Sequence, residues 1–188
     1  MTKRCAGEFP AEIQKSTLLL TGLVNSMLEV ANLDVSEDKL PCGPTDIRNI
    51  CIQEMEKISP KPRIKYQLDI TEDTLFIPTN AQYLTMVIEH LLNNANKFTE
   101  EGFIALGYKV NLSKNQICIS VTDSGCGIPK EKQEEVFNRF SKLDTFVPGN
   151  GLGLYLCRLI VKRLDGEIKI DPEYTDGTRV VVNLPMNE

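Results

Sequence analysis

Two glycine-rich segments carry the strongest chemical signal in this sequence. Residues 123–128 (Asp-Ser-Gly-Cys-Gly-Ile) follow an apolar run, and residues 149–154 (Gly-Asn-Gly-Leu-Gly-Leu) precede a helical pattern. Glycines let backbone N–H groups approach a phosphate, and the start of a helix presents its positive end to the same anion. Neither segment has the Lys-Ser/Thr ending of a P-loop or the glycine spacing of a dinucleotide fold, which disfavours P-loop NTPases and Rossmann enzymes. Either segment alone is weak, because glycine pairs are common in plain turns.

Asp123 stands where it could recognise the base of a nucleotide. A carboxylate at the end of a strand can accept a hydrogen bond from an exocyclic amine such as that of adenine. Gly125 and Gly127 would leave room for the flat ring beside it. The ordinary alternative for Asp123 is a side chain that caps a turn, a common role for aspartate.

A polar face on an apolar helix supplies a third candidate element. His90 and Asn94 are four residues apart, so they share one face of the helix, and Lys97 follows near its end. Polar groups on an inner face are costly unless they have partners. The amide oxygen of Asn94 could ligate Mg²⁺, and Lys97 could neutralise phosphate charge. For Asn94 alone, a water-exposed residue at a helix end is the stronger interpretation.

Composition excludes several classes of protein. The net charge of −5, without a stripe of Lys and Arg, argues against a nucleic-acid surface. The single histidine excludes a multi-histidine metal site. The six cysteines include no Cys-x-x-Cys pair, which disfavours zinc, and a reducing compartment is favoured. Cys118 and Cys157 lie in apolar periodic runs and are predicted to be small core residues.

The periodicity of the chain predicts the elements that position these residues. Residues 11–33 fill two positions of a seven-residue repeat, which favours packing in a helical bundle over an ordinary amphipathic surface helix. Residues 34–45 have the composition of a linker. Further helices are predicted from Thr45, from an Asn80 cap to about residue 96, and over 152–164, and strands over 63–69, 75–78, 103–112, 116–123, 167–170 and 178–184. The pattern predicts an α/β protein, a two-layer sandwich with a mixed five-stranded sheet and about three helices on one face.

Together these segments resemble the histidine kinase catalytic domain of the Bergerat-fold ATPase superfamily, which also includes gyrase B, Hsp90 and MutL. The resemblance covers roughly residues 40–185, with the motifs in the family's order. The matching segments are the Asn box at 90–99, the glycine boxes at 123–128 and 149–154, the phenylalanine box at 137–140, and Gly177-Thr178. The Phe-Thr pair after Lys97 and the very short lid separate histidine kinases from the other branches.

The resemblance implies a role for each matching residue. Asp123 would bind the adenine amine with the support of Thr178, Asn94 would ligate Mg²⁺, and Lys97 would meet the phosphates. Residues 137–150 would form the lid over ATP, from which Arg139 would reach the phosphates. The lid would be hinged and the phosphate site lined by Gly149, Gly151 and Gly153. The other implied nucleotide contacts are Gly125, Gly127, Ile128, Phe137, Phe140, Leu152 and Leu154.

Two departures from the family pattern bear on catalysis. His90 stands where the family has an asparagine, near the general-base chemistry. The family's phosphoacceptor histidine lies on a helix before the catalytic domain, and no other histidine is present here. Residues 1–39 are expected to hold the second helix of a dimerisation hairpin, residues 40–188 the catalytic domain, and the acceptor helix is expected to lie outside this sequence.

The expected function is therefore the ATP-binding catalytic domain of a two-component sensor histidine kinase. It would transfer the γ-phosphoryl of Mg-ATP to a histidine on another segment, and as this chain it would not phosphorylate itself. The expected partners are ATP or ADP, the phosphoacceptor helix, a response regulator receiver domain and a second copy of the kinase, on the cytoplasmic side of a membrane-bound sensor. The alternatives are a non-catalytic nucleotide-sensing module, which the His90 replacement would suit, and another Bergerat-fold ATPase or serine-kinase relative.

Overall fold

The structure, a computed structural model, describes residues 40–71, 73–141 and 151–187 together with Thr17, Thr21, Val24, Met27, Leu28 and Ala31. Within these ranges the strands are β1 (Gly43–Asp46), β2 (Ile64–Asp69), β3 (Phe76–Thr79), β4 (Gly102–Asn111), β5 (Gln116–Asp123), β6 (Glu167–Ile170) and β7 (Thr178–Pro185). The helices are α1 (Ile47–Lys57), α2 (Ala81–Phe98) and α3 (Gly153–Arg163), with short 3₁₀ turns at Leu112–Lys114, Lys130–Lys132 and Glu135–Phe137.

The main sheet has five strands in the order β2-β4-β5-β7-β6. The β2–β4 pair is parallel and the other three pairs are antiparallel, so the sheet is mixed, as the sequence predicts. β4 and β5, which match the strands predicted over 103–112 and 116–123, form a hairpin closed by the 3₁₀ turn and by Asn115 in the left-handed conformation. The family fold predicted from the sequence is therefore confirmed.

Alternation along the strands directs one face of the sheet toward the helices. Ile119 on β5 pairs with Tyr108 on β4 and with Val182 on β7, and all three are buried in the core. Because successive strand residues point to opposite faces, residues 118, 120 and 122 of β5 face away from the helices. We call that second surface the open face.

The three helices predicted after residue 40 are found, and each packs its apolar stripe against the core. α2 buries Leu84, Val87, Ile88, Leu91 and Leu92, and its first turn is capped by the predicted Asn80, whose side chain accepts from the Tyr83 N–H. Asp46 caps α1 in the same way by accepting from the Asn49 N–H. Such caps satisfy a donor that the helix itself leaves without a partner.

Two backbone hydrogen bonds close the end of α3. The Gly166 N–H donates to the Val161 carbonyl at 2.9 Å, and the Asp165 N–H donates to the Lys162 carbonyl at 3.2 Å. This pair of bonds is a Schellman motif, in which the residue in the left-handed conformation is usually glycine. Here that residue is Asp165, with φ of 56°, because aspartate tolerates this region better than most residues.

Three local predictions need correction. The segment read as a linker up to residue 45 contains β1, because residues 43–46 pair with β3 in a separate two-stranded ribbon. The strand read at 75–78 belongs to that ribbon and not to the main sheet. Cys118 is on the open face and outside the core, whereas Cys51 and Cys157 are buried in it.

The predicted helix over 11–33 falls largely outside the described residues. Those that are described there, from Thr17 to Ala31, are helical, and their exposed positions include Val24, Met27 and Leu28. A membrane-crossing helix is not found in the part of the chain that the structure describes, because none combines the length and the apolar character required.

Candidate functional site

Asp123 and Thr178 are brought together at the edge of the sheet. Asp123 ends β5, Thr178 begins β7, and the two are direct partners in the antiparallel register. Asp123 points to the helix-covered face and is only 7% exposed. The Gly125 N–H donates to its Oδ1 at 2.9 Å. Burial raises the pKa of the Asp123 carboxyl, and N–H groups of Gly125 and Thr178 offset part of that rise.

Glycines on two loops close around the end of this strand pair. Gly177 has φ of +143°, and a Cβ added to it would lie 2.0 Å from the Asp123 carbonyl oxygen. Gly127 has φ of +71°, and its Cβ would lie 3.2 Å from the Gly177 carbonyl oxygen. A side chain at Gly177 would therefore clash with the Asp123 backbone and force a strained conformation. We call the close backbone packing of Gly127 and Gly177 against Asp123 the cradle.

The end of α2 reaches the same cradle. A Cβ at Gly125 would lie 2.5 Å from the Phe98 carbonyl oxygen, so the loop after β5 packs directly on the last turn of α2. This turn is pinned from outside by Lys61, whose Nζ donates to the carbonyls of Asn96 and Thr99. The Asn box and the first glycine box are therefore joined through backbone contacts.

The three candidate site residues of α2, which are His90, Asn94 and Lys97, lie along one side of the helix. His90 and Asn94 are half-buried and Lys97 is exposed, with its Nζ 4.7 Å from the centroid of the Phe98 ring. The Nδ1 of His90 lies 3.7 Å from the position that a Cβ on Gly153 would occupy. Gly153 begins α3, so His90 lies beside the helix end whose N–H groups favour an anion.

The predicted lid is described only in part. Phe137 is 1% exposed and is a core residue, with the Arg158 guanidinium 4.3 Å from its ring centroid. Arg139 lies 4.8 Å from the ring centroid of Tyr155 on α3. Phe140 is exposed, and a Cβ on Gly151 would lie 2.7 Å from its carbonyl carbon. The two ends of the segment 142–150 are thus close to each other.

The remaining predicted contacts are placed as follows. Leu152 is buried at the start of α3, and Leu154 and Ile128 are half-buried and packed against the core. Gly149 and the rest of 142–150 lie outside the described residues. The structure thus brings Asp123, Thr178 and the first glycine box together at one end, and His90 and Gly153 together at the other.

The family of histidine kinase-, DNA gyrase B- and HSP90-like ATPases matches residues 79–188, more than half of the chain. The chain belongs to this ATPase family. The matched range contains every motif that carried the resemblance. The sequence prediction of an ATP-binding catalytic domain of the sensor histidine kinase type is confirmed.

Curated relatives of the ATPase domain include several sensor kinases. The sensor histidine kinase WalK of Bacillus subtilis is 27% identical over 99% of this chain and 32% of its own length. The adaptive-response sensory kinase SasA of Synechocystis is 29% identical over 93% of this chain and 47% of its own length. The chain therefore spans about a third to a half of these relatives.

Solved structures of the ATPase family superpose on the chain. Full-length ShkA in complex with AMPPNP has a TM-score of 0.83 at 25% identity, over 98% of this chain and 40% of ShkA. The nucleotide-free catalytic domain of the histidine kinase ThkA has a TM-score of 0.69 at 22% identity, over 79% of this chain and 97% of that domain. The latter likeness concerns the fold alone.

The donor set at the phosphate end suits magnesium better than a tightly caged metal. Among the described residues no cluster of three or more His, Cys, Asp or Glu side chains could hold a metal ion. Mg²⁺ in nucleotide sites is commonly held by one or two protein oxygens together with phosphates and water. The single amide of Asn94, one turn along α2 from His90, fits that arrangement.

Several contacts that hold the site were missed by sequence reasoning. Arg158 pairs with Glu134 at 2.8 Å while covering Phe137, and so attaches the 3₁₀ turns after β5 to α3. The Asn96 amide accepts from the Tyr66 hydroxyl at 2.8 Å. These partners are 24 and 30 residues apart, and no local pattern indicates such pairs. Arg179 on β7 could have been found, because strand alternation places it on the open face directly opposite Thr122.

Proposed function

We propose that this domain binds Mg-ATP and transfers its γ-phosphoryl group to a histidine of a sensor kinase. The observation that best supports this is the convergence of separated motifs at the C-terminal half of α2. Phe98 packs on the first glycine box, and His90 packs on the start of α3. These contacts support a base site against the last turn of α2 and a phosphate site along the face that carries His90 and Asn94.

At the base end, Asp123 accepts the adenine amine. Its carboxylate is buried and already holds the Gly125 N–H, so its direction is set before the nucleotide arrives. Gly125 and Gly127 place no side chain where a flat ring would lie beside Asp123. Thr178, opposite Asp123, supplies a further hydrogen-bonding group. Preorganised groups of this kind lose little entropy on binding.

At the phosphate end, side chains of α2 and N–H groups of α3 meet the triphosphate. Asn94 holds Mg²⁺, which neutralises charge on the phosphates when it is bound. Lys97 adds positive charge, and the Gly151–Gly153 segment presents the start of α3 to the anion. Arg139 leaves the Tyr155 ring to reach the γ-phosphate, and residues 137–150, including Gly149 and Phe140, cover the nucleotide.

The acceptor is a histidine on another segment, because His90 is the single histidine of these 188 residues and lies within the site. The bond from the γ-phosphorus to the bridging oxygen breaks, a phosphorus–nitrogen bond forms, and ADP leaves. The acceptor imidazole loses its N–H proton, and in this proposal the His90 imidazole accepts it. Catalysis is otherwise a matter of positioning and charge neutralisation.

The rest of the proposal follows the sensor kinase relatives. In this proposal, residues 1–39 hold the second helix of a dimerisation hairpin together with a linker, and residues 40–188 are the catalytic domain. The whole kinase acts as a homodimer in the cytoplasmic part of a membrane-bound sensor. Its phosphohistidine passes the group to a response regulator receiver domain.

Two neighbouring asparagines give a matched test of this proposal. Calorimetric titration with ADP, with and without Mg²⁺, is expected to show tighter binding with the metal. Asn94→Ala is expected to remove that difference, whereas Asn93→Ala, exposed on another side of α2, is expected to keep it. A wild-type chain that gives neither heat nor a thermal shift with Mg-ADP contradicts the proposal.

A second assay separates the kinase from its alternative. The chain is mixed with radiolabelled ATP and a segment that carries the acceptor histidine, and acid-labile label on that segment is expected. Nucleotide binding without transfer would instead support a nucleotide-sensing module, which the unusual His90 favours. His90→Asn, which restores the family residue, would then be expected to restore transfer.

A further inference from the structure

Arg179 lies directly behind the proposed base site. It follows Thr178 on β7 and is paired in register with Thr122, the residue before Asp123. Alternation therefore places Asp123 and Thr178 on the helix-covered face, and Thr122 and Arg179 on the open face. The same two strand ends carry both pairs, so a group that fixes one pair also fixes the other.

The guanidinium of Arg179 joins three parts of the chain. Its Nε donates to the Thr122 Oγ1 at 3.1 Å, and its Nη1 donates to the Asp171 Oδ2 at 3.3 Å. Its central carbon lies 4.5 Å from the ring centroid of Tyr174. The planar fork of arginine suits such a role because its nitrogens have fixed relative directions.

Asp171 and Tyr174 belong to the connection between β6 and β7. The Asp171 N–H donates to the Arg179 carbonyl at 2.8 Å, and the Tyr174 N–H donates to the Asp171 carbonyl at 3.3 Å. The Tyr174 hydroxyl oxygen is buried and has no hydrogen-bond partner within the described residues. Its ring is therefore held through the stack on Arg179 and not through its hydroxyl.

This connection ends at Gly177, which forms the floor of the base cradle. The Gly177 backbone is so close to Asp123 that a Cβ would lie 2.0 Å from the Asp123 carbonyl oxygen. Burial raises the pKa of the Tyr174 phenol, and the charges of Asp176 and Asp123 add to that rise while Arg179 opposes it. Tyr174 is thus within electrostatic reach of the base site.

We propose that Arg179 is a positioning residue that sets adenine specificity from the open face of the sheet. It fixes the distance between Asp123 and the Gly177 floor by tying β5, through Thr122, to the β6–β7 connection, through Asp171 and Tyr174. This inference rests on the proposed nucleotide function. Its stability role is small, because the ion pair is partly exposed and such pairs contribute little.

Base discrimination provides the test. IDP carries an oxygen where ADP carries the amine, so Asp123 should favour ADP. Arg179→Met keeps the length of the side chain and removes its donors, and is expected to lower the ADP-to-IDP affinity ratio roughly threefold to tenfold. Lys169→Met, on the open face of β6, is the matched control and is expected to leave the ratio unchanged. Both ratios come from calorimetric titrations of the full chain.

A second variant tests whether the effect depends on the hydrogen bond between Arg179 and Thr122. Thr122→Val removes the acceptor for Nε with almost no change of shape, and is expected to lower the ratio similarly. The double variant should lower the ratio no further than Arg179→Met alone, because both substitutions remove the Arg179–Thr122 hydrogen bond.

An ADP-to-IDP affinity ratio within twofold of wild type in folded Arg179→Met overturns the inference. Should that variant not fold, an unchanged ratio in Thr122→Val overturns it, while a wild-type chain that binds no ADP contradicts the proposed function itself.

Discussion

One end of the candidate site is formed by strand backbone, and the other is formed by helix side chains. The base end consists of strand backbone: Asp123 and Thr178 face each other across the β5–β7 ladder, and Gly177 closes the floor. The phosphate end consists of side chains on α2 and the first turn of α3, with His90 half-buried and Lys97 exposed. Hydrogen-bonded strands fix their atoms more firmly than long side chains in water do.

This difference predicts where the site is sensitive. At the base end, a change of one atom disturbs backbone that cannot move without breaking strand pairing. At the phosphate end, charge acts through water over a longer range, and one residue can partly replace another. Substitutions should therefore cost most at the base end, and the costs should decrease toward the exposed side of α2.

The largest effect is expected for Gly177→Ala. The alanine would carry φ of +143° and place its Cβ 2.0 Å from the Asp123 carbonyl oxygen. We expect the free energy of unfolding to fall by about 3 kcal/mol or more, and ADP binding to be lost. Gly43→Ala, whose Cβ would meet no atom within 4 Å, should change stability by less than about 0.5 kcal/mol. Equal thermal melting of the two variants would contradict a tightly built base end.

The next effect concerns Asp123 itself. Asp123→Asn replaces the charged acceptor that we propose for the adenine amine, and a hydrogen bond to a charged group contributes about 1.5–3 kcal/mol. ADP affinity measured by calorimetry should fall between roughly tenfold and a hundredfold. Asp69→Asn, at the exposed end of β2, makes the same chemical change away from the site and should leave affinity unchanged. Similar losses in both variants would disconnect Asp123 from the base.

The pH dependence of stability should reveal the same buried carboxylate. Burial raises the pKa of Asp123, so the folded state binds its proton more tightly than the unfolded state does. The contribution of Asp123 to stability is therefore most favourable below the unfolded pKa of about 3.9 and declines as the pH rises through the higher folded pKa.

Denaturant unfolding of the nucleotide-free chain, followed between pH 3 and pH 7, measures this decline. The wild type should lose stability relative to Asp123→Asn as the pH rises, because the folded state binds the Asp123 proton more tightly than the unfolded state does. The slopes are compared, and not the absolute stabilities, because the asparagine also alters the hydrogen bonds to Gly125 and Thr178. Parallel slopes would mean that Asp123 ionises as an ordinary surface carboxyl does.

Sequence patterns were sufficient wherever the determinant was local. The stripe of α2 and its Asn80 cap follow from spacing of three and four residues, and the strands from alternation. The β1–β3 ribbon was missed because β1 has only four residues, two of which are Gly43 and Pro44, a composition typical of turns. Cys118 was misplaced because an apolar neighbourhood does not decide which face of a strand a residue occupies.

The same difference between local and long-range determinants applies to the candidate site. Asp123, Asn94 and the glycines were predicted from residue type and motif order. Arg158, Lys61 and Arg179 were not, because each acts on a residue distant in the chain or on the other face of the sheet. The residues proposed to touch a ligand are thus marked by local sequence, and those that hold them in place are determined by the tertiary fold.

The smallest expected effect separates the two ends most directly. Lys97 is exposed, so its attraction to a phosphate should contribute only about 0.2–1 kcal/mol, as exposed charge pairs do. Lys97→Gln should weaken ADP binding up to about fivefold, and adenosine binding not at all, because adenosine lacks the phosphates. The loss of ADP affinity in Lys97→Gln should shrink as salt is raised, whereas the loss in Asp123→Asn should be the same for ADP and adenosine and should not depend on salt.

Lys114→Gln, on the β4–β5 turn, controls for the change in net charge. If Lys97→Gln weakened adenosine binding as much as ADP binding, the separation into a base end and a phosphate end would fail, because Lys97 would then act on the shape of the whole site.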